Sequence, residues 1–149
     1  MAETKEANFR ERAGELEPLP GLRDFIAQGQ KEGMRIALVT NAPKDNVPAI
    51  LRALGLEGAF EPVILGEELD AAKPDPAPYQ AALEALGVFA EEAVAFEDSP
   101  SGIASSVAVG VPTVGIASTH EPEELESLGV ALVARDFTDP KLVALVEGR

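Results

Sequence analysis

The sequence predicts an α/β fold, a Rossmann-like parallel sheet with helices on both faces, and three observations carry that expectation. Short apolar runs recur along the chain, amphipathic segments separate them, and glycines punctuate the segment ends. The runs are MRIALVT (34–40), PVIL (62–65), AVAF (93–96), TVGI (113–116) and ALVA (131–134). They lack polar alternation, as expected of strands covered on both faces. Between them Val47, Ile50, Leu51 and Leu54, then Tyr79, Ala82, Leu83 and Leu86, follow the i, i+3, i+4, i+7 spacing of a helix face. Pro48 falls in a first turn, whose amides have no intrahelical acceptor, so it need not break its helix. Gly55, Gly87, Gly110 and Gly129 sit just past the periodic residues, where a left-handed backbone favours glycine. Alternating strands and helices with right-handed crossovers build a parallel sheet.

Ahead of these elements, residues 1–14 are polar and charged around Phe9 and read as a helix with little apolar face. ELEPLPGLRDFIAQGQKEGM (15–34) adds a Pro-rich turn and a helix with Leu22, Phe25 and Ile26 on one side. No internal repeat or second core is visible.

The 149 residues suit one domain, which buries roughly two thirds of its unfolded surface. An apolar fraction of 46% with ordinary charge content argues against disorder. No apolar run reaches the roughly 18 residues of a membrane span. With no signal-like opening and no cysteine, the expectation is a cytoplasmic protein without disulfide or thiolate chemistry. The formal charge of −14 leaves no basic stripe for nucleic acid. It also repels small anions, so a phosphate site here needs a local cation, either lysine or a metal.

Ligands of open parallel sheets bind beyond the carboxyl ends of the strands. Those ends supply Thr40 and Asn41, then Lys73 in a loop, then Glu97 and Asp98. A hydroxyl, an amide, an ammonium and two carboxylates suit a phosphate group with Mg²⁺, the carboxylates holding the metal and the other groups the phosphoryl oxygens. Taken singly, each has a plain structural explanation. Thr-Asn after a strand makes a helix-entry turn, Lys73 is a solvated loop charge, and the acidic pair caps a helix. His120 before EPEEL reads as a helix-entry or surface residue, and Tyr79 as core.

LVTNAP, KPDPAPY and FEDSPSG, in that order, resemble the second, third and fourth motifs of the haloacid dehalogenase superfamily. The resemblance runs from about residue 18 to the C-terminus and is closest to the branch of β-phosphoglucomutase and phosphoglycolate phosphatase. It implies a Mg²⁺-dependent phosphatase lineage acting on a small phosphomonoester. In that lineage Thr40 and Asn41 would hold the transferring phosphoryl, and Lys73 would neutralise it and orient the nucleophile. Asp98 and Glu97 would hold Mg²⁺. Residues 1–17 resemble the last helix of the family's mobile cap, and residues 18–149 its core domain.

The family's chemistry also uses an aspartate nucleophile followed two residues later by an acid/base aspartate, on a first strand. No Asp-x-Asp occurs in this chain. In the family that strand lies between those corresponding to IALVT and AVAFE, so its lack should leave two open inner edges or force them to pair. Three arrangements account for the pattern: a truncated phosphatase; a split or strand-exchanged enzyme completed by a homodimer or another chain; or a non-catalytic module binding phosphate, Mg²⁺ or protein. In each, the purified chain should be inactive or incomplete as an enzyme.

Overall fold

The computed structural model describes residues 19–147. The cap-like segment expected over residues 1–17 lies outside them. In order, the elements are α1 (Leu22–Lys31), β1 (Leu38–Thr40), α2 (Val47–Leu54), β2 (Val63–Leu65), α3 (Ala77–Leu86) and β3 (Ala95–Glu97). There follow α4 (Pro100–Ala108), β4 (Thr113–Ile116), α5 (Pro122–Glu126), β5 (Leu132–Ala134) and α6 (Pro140–Glu147). Strand and helix alternate as the periodicity predicts.

Local signals set the boundaries. Gly55 and Gly87 close α2 and α3 at φ 71° and 68°, conformations that cost glycine little. Proline sits in the first turn of α2, α3, α4 and α5, where its missing N–H removes no helical bond. Ser99 caps α4 by accepting from the Gly102 amide at 3.2 Å. Apart from β4, the strands are shorter than their apolar runs. Before β1 and β2 pair, Glu61 N–H donates to Ile36 and Leu38 N–H to Pro62. Pro62 has no N–H to return, so MRIALVT contributes only its last three residues to the ladder.

All pairings are parallel, but the strands form two sheets: β1 with β2, and β3–β4–β5 in that order. Of the two outcomes expected for the inner edges, the structure shows the unpaired one. Only β4, central in its sheet, is buried throughout. The edge strand β2 leaves Val63 36% exposed, which departs from the expectation of cover on both faces.

On one face of the larger sheet Val114, Ile116 and Ala134 pack with Leu142 of α6. Phe25, Phe96 and Phe137 meet there, with ring centroids 5.2 to 5.8 Å apart. The other face carries Ile103 of α4 and Leu125 of α5. Ile103, Leu125 and Leu142 are all fully buried. Each such side chain contributes about 1.5–3 kcal/mol. Helices therefore cover both faces of this sheet. Helix α3 brackets the two sheets, since Tyr79 packs in one cluster with Val39 of β1 and Ala95 of β3. No helix among the described residues is long and apolar enough to cross a membrane.

Candidate active site between two parallel sheets

The carboxyl ends of β1 and β3 face a common space, and Lys73 fills it. Its Nζ donates to the Val39 carbonyl at 3.0 Å and to Glu97 Oε2 at 2.9 Å. The Val39 carbonyl belongs to the edge of β1 turned away from β2, so an ammonium stands where a neighbouring strand would donate. The two charged side chains are only 10% and 7% exposed. At this burial each charged group needs the other as its partner.

Glu97 is held from three sides. The Tyr79 hydroxyl donates to the same Oε2 at 2.5 Å. Burial and the adjacent carboxylate push the Tyr79 phenol far above its ordinary pKa, so it stays a donor. On the third side Oε1 lies over Gly102, where a Cβ would come within 1.8 Å of it. The carboxylate thus points into the protein and toward Lys73.

Asp98, the next residue, is exposed and has no hydrogen bond or ion pair with any described residue. No group of three or more acidic, histidine or cysteine side chains suited to a metal occurs among the described residues. The acidic pair was expected to act together on Mg²⁺, and the structure separates it: one carboxylate faces Lys73, the other solvent. These residues alone do not complete a Mg²⁺ site.

At the end of β1 the Thr40 hydroxyl oxygen accepts from the Ala42 amide at 3.0 Å, leaving its proton available to a ligand. Asn41 uses both ends of its carboxamide on the Lys73 backbone. Oδ1 accepts from Lys73 N–H and Nδ2 donates to Lys73 C=O, each at 3.1 Å. The remainder of the KPDP turn is fastened as well. Asp75 Oδ1 accepts from the Ala77 amide at 2.9 Å, and the Asp75 carbonyl accepts from Ser105 Oγ at 2.6 Å. Thr40, Asn41, Lys73 and Glu97 are thus neighbours, as expected from the strand ends. His120 contacts Thr119 Oγ1 through Nδ1 at 3.1 Å, just ahead of α5, a helix-entry position.

Three further residues shape the site. The helical spacing marks Tyr79 as core, yet a lone tyrosine on an apolar helix face needs a partner for its hydroxyl, and that partner is Glu97. Gly66 and Gly102 create space for Asn41 and Glu97 respectively. Glycine directly after a strand is a signal of close approach, and Gly66 carries it.

The fold and site define a Rossmann-like domain with a buried lysine–carboxylate pair at the carboxyl ends of its strands. The family of haloacid dehalogenase-like hydrolases matches residues 1–116, and the chain belongs to it. It is 37% identical over 118 residues to a phosphoglycolate phosphatase of Rhodospirillum rubrum, covering 79% of this chain and 49% of that protein. It is 32% identical over 138 residues to a phosphorylated carbohydrates phosphatase of Thermotoga maritima, covering 85% of this chain and 64% of that one. Among solved structures, CbbY of Rhodobacter sphaeroides in complex with phosphate superposes with a TM-score of 0.81 at 28% identity. The match covers 93% of this chain and 63% of CbbY. The chain thus spans about half to two thirds of the length of these relatives.

Proposed function

We propose that this chain is the phosphate-handling part of a phosphatase that hydrolyses a small phosphomonoester. The observation that carries the reading is the Lys73 ammonium held between the ends of β1 and β3, two strands that do not pair with each other. Two of its three N–H bonds go to Val39 and Glu97, so one is left for an incoming oxygen. The Thr40 hydroxyl can supply a second donor. In an acidic chain such donors give an anion the local positive field it needs. The named activities of the relatives, on phosphoglycolate and on phosphorylated carbohydrates, support a small phosphorylated metabolite as substrate.

The attacking carboxylate is not among these groups, and no Asp-x-Asp is present to supply one. The open facing edges of β1 and β3 favour a strand that brings it, from a longer form of this chain or from another polypeptide. Mg²⁺ would be held by Asp98 together with a carboxylate on that strand, and when bound would neutralise phosphoryl charge. Glu97 would join them only by leaving Lys73.

The test is calorimetry with inorganic phosphate and Mg²⁺, together with an aryl phosphate assay. The chain alone should bind phosphate weakly, lose that binding on Lys73→Ala, and turn over negligibly. Absence of any phosphate binding would refute the phosphate site. Robust hydrolysis by the chain alone, abolished by Asp98→Asn, would refute the missing nucleophile.

A further inference from the structure

Asn41 and Gly66 follow β1 and β2 directly, and the register of those strands pairs Thr40 with Leu65. Continued by one residue, it sets Asn41 beside Gly66. A Cβ at Gly66 would stand 2.7 Å from Asn41 Oδ1 and 2.9 Å from the Ala72 Cβ. Gly66 does not have a positive φ, so its backbone gives no reason for glycine. Space is the reason: the bare Cα opens a notch, and the Asn41 carboxamide lies in it.

From the notch the carboxamide makes its paired bonds to Lys73 N–H and C=O. A carboxamide suits this task because it alone among side chains of its size offers a donor and an acceptor side by side, as a peptide unit does. We propose that Asn41 is a positioning residue. It locks the Lys73 backbone, and that lock aims the ammonium at the gap between Val39 and Glu97. This gives Asn41 a task other than the direct phosphate contact expected of it. Its bearing on catalysis rests on the phosphatase reading above, but the lock itself does not.

Three variants and two readouts test the lock. Asn41→Ala removes both bonds, Asn41→Asp keeps the acceptor and loses the donor, and Gly66→Ala closes the notch. Amide hydrogen exchange at Lys73 should quicken by about tenfold in Asn41→Ala and Gly66→Ala, the scale of one lost hydrogen bond, and stay slow in Asn41→Asp. Labelling of the Lys73 amine by an acylating reagent, read by mass spectrometry, should rise in Asn41→Ala and Gly66→Ala. Exchange at Val114, in the buried strand β4, should not change. Unchanged Lys73 exchange and labelling in Asn41→Ala would overturn the proposal, and so would equal loosening at Val114 in all three variants. Phosphate binding by Lys73→Ala separates the two readings. If binding survives that substitution while Asn41→Ala frees Lys73, the lock stands and the phosphatase reading fails.

Discussion

Breaking the Lys73–Glu97 pair should cost far more than an ion pair usually does. At 2.9 Å the attraction is about 6 kcal/mol in an effective dielectric of about 20, offset by several kcal/mol of lost hydration for each ion. Removing one partner keeps the second cost and forfeits the first. Lys73→Met would leave Glu97 buried with Tyr79 as its remaining side-chain donor, and Glu97→Gln would leave the ammonium without a counter-charge. Each should destabilise by about 3–5 kcal/mol, a large share of the roughly 5–15 kcal/mol that holds a domain together. Urea unfolding followed by far-UV circular dichroism would show it. With a slope of about 2 kcal/mol per molar, the midpoint should fall by about 2 M while the slope holds. The double variant Lys73→Met/Glu97→Gln should be less harmful than the sum of its parts, because neither change then strands a charge. Lys141→Met is the control. Its partner Asp139 lies 3.7 Å away and the lysine is 58% exposed, so the change should cost less than about 1 kcal/mol. If both site variants fell within about 1 kcal/mol of the parent, as the control should, the reasoning from burial would be refuted.

Two further outcomes can be read cheaply. Tyr79 is the sole tyrosine and the chain has no tryptophan, so ultraviolet absorbance reports this phenol directly. With its pKa raised above the ordinary 10.0, the folded protein should show no tyrosinate signal as pH passes that value. The matching stability is full below the ordinary value and is lost as pH climbs toward the raised one, because the unfolded phenol ionises first. A normal titration in the folded protein would contradict the burial beside Glu97. Gly102→Ala should destabilise by about 1–3 kcal/mol although alanine is the better helix former. Its Cβ would meet a Glu97 oxygen at 1.8 Å, on a carboxylate that Lys73 and Tyr79 keep in place. Most of that cost should vanish in a Glu97→Ala background, and its persistence there would point to another obstruction.

Much of the site is legible in the sequence, because its residues stand at strand ends. A run such as IALV announces a buried strand, and the residue after it must emerge at the carboxyl edge, so Thr40, Asn41, Glu97 and Asp98 were placed by counting. What counting does not supply is side-chain direction. Glu97 and Asp98 are adjacent in the chain and looked like one chelating pair, yet the last residue of β3 turns inward while the next faces solvent. The choice was made by Tyr79, 18 residues away, and by the space over Gly102.

The sequence by itself determined the α/β class, the order of its elements and the ends of α2 and α3, because these follow from periodicity and from glycine and proline at particular positions. Only the tertiary structure decided that the inner edges of β1 and β3 stay unpaired, that Lys73 bridges them, and that Asn41 grips Lys73. The reason is range. A helix boundary depends on residues three or four apart, whereas the Asn41–Lys73 bonds span 32 positions and Lys73–Val39 spans 34. Contacts of that kind exist only once distant segments have been packed side by side.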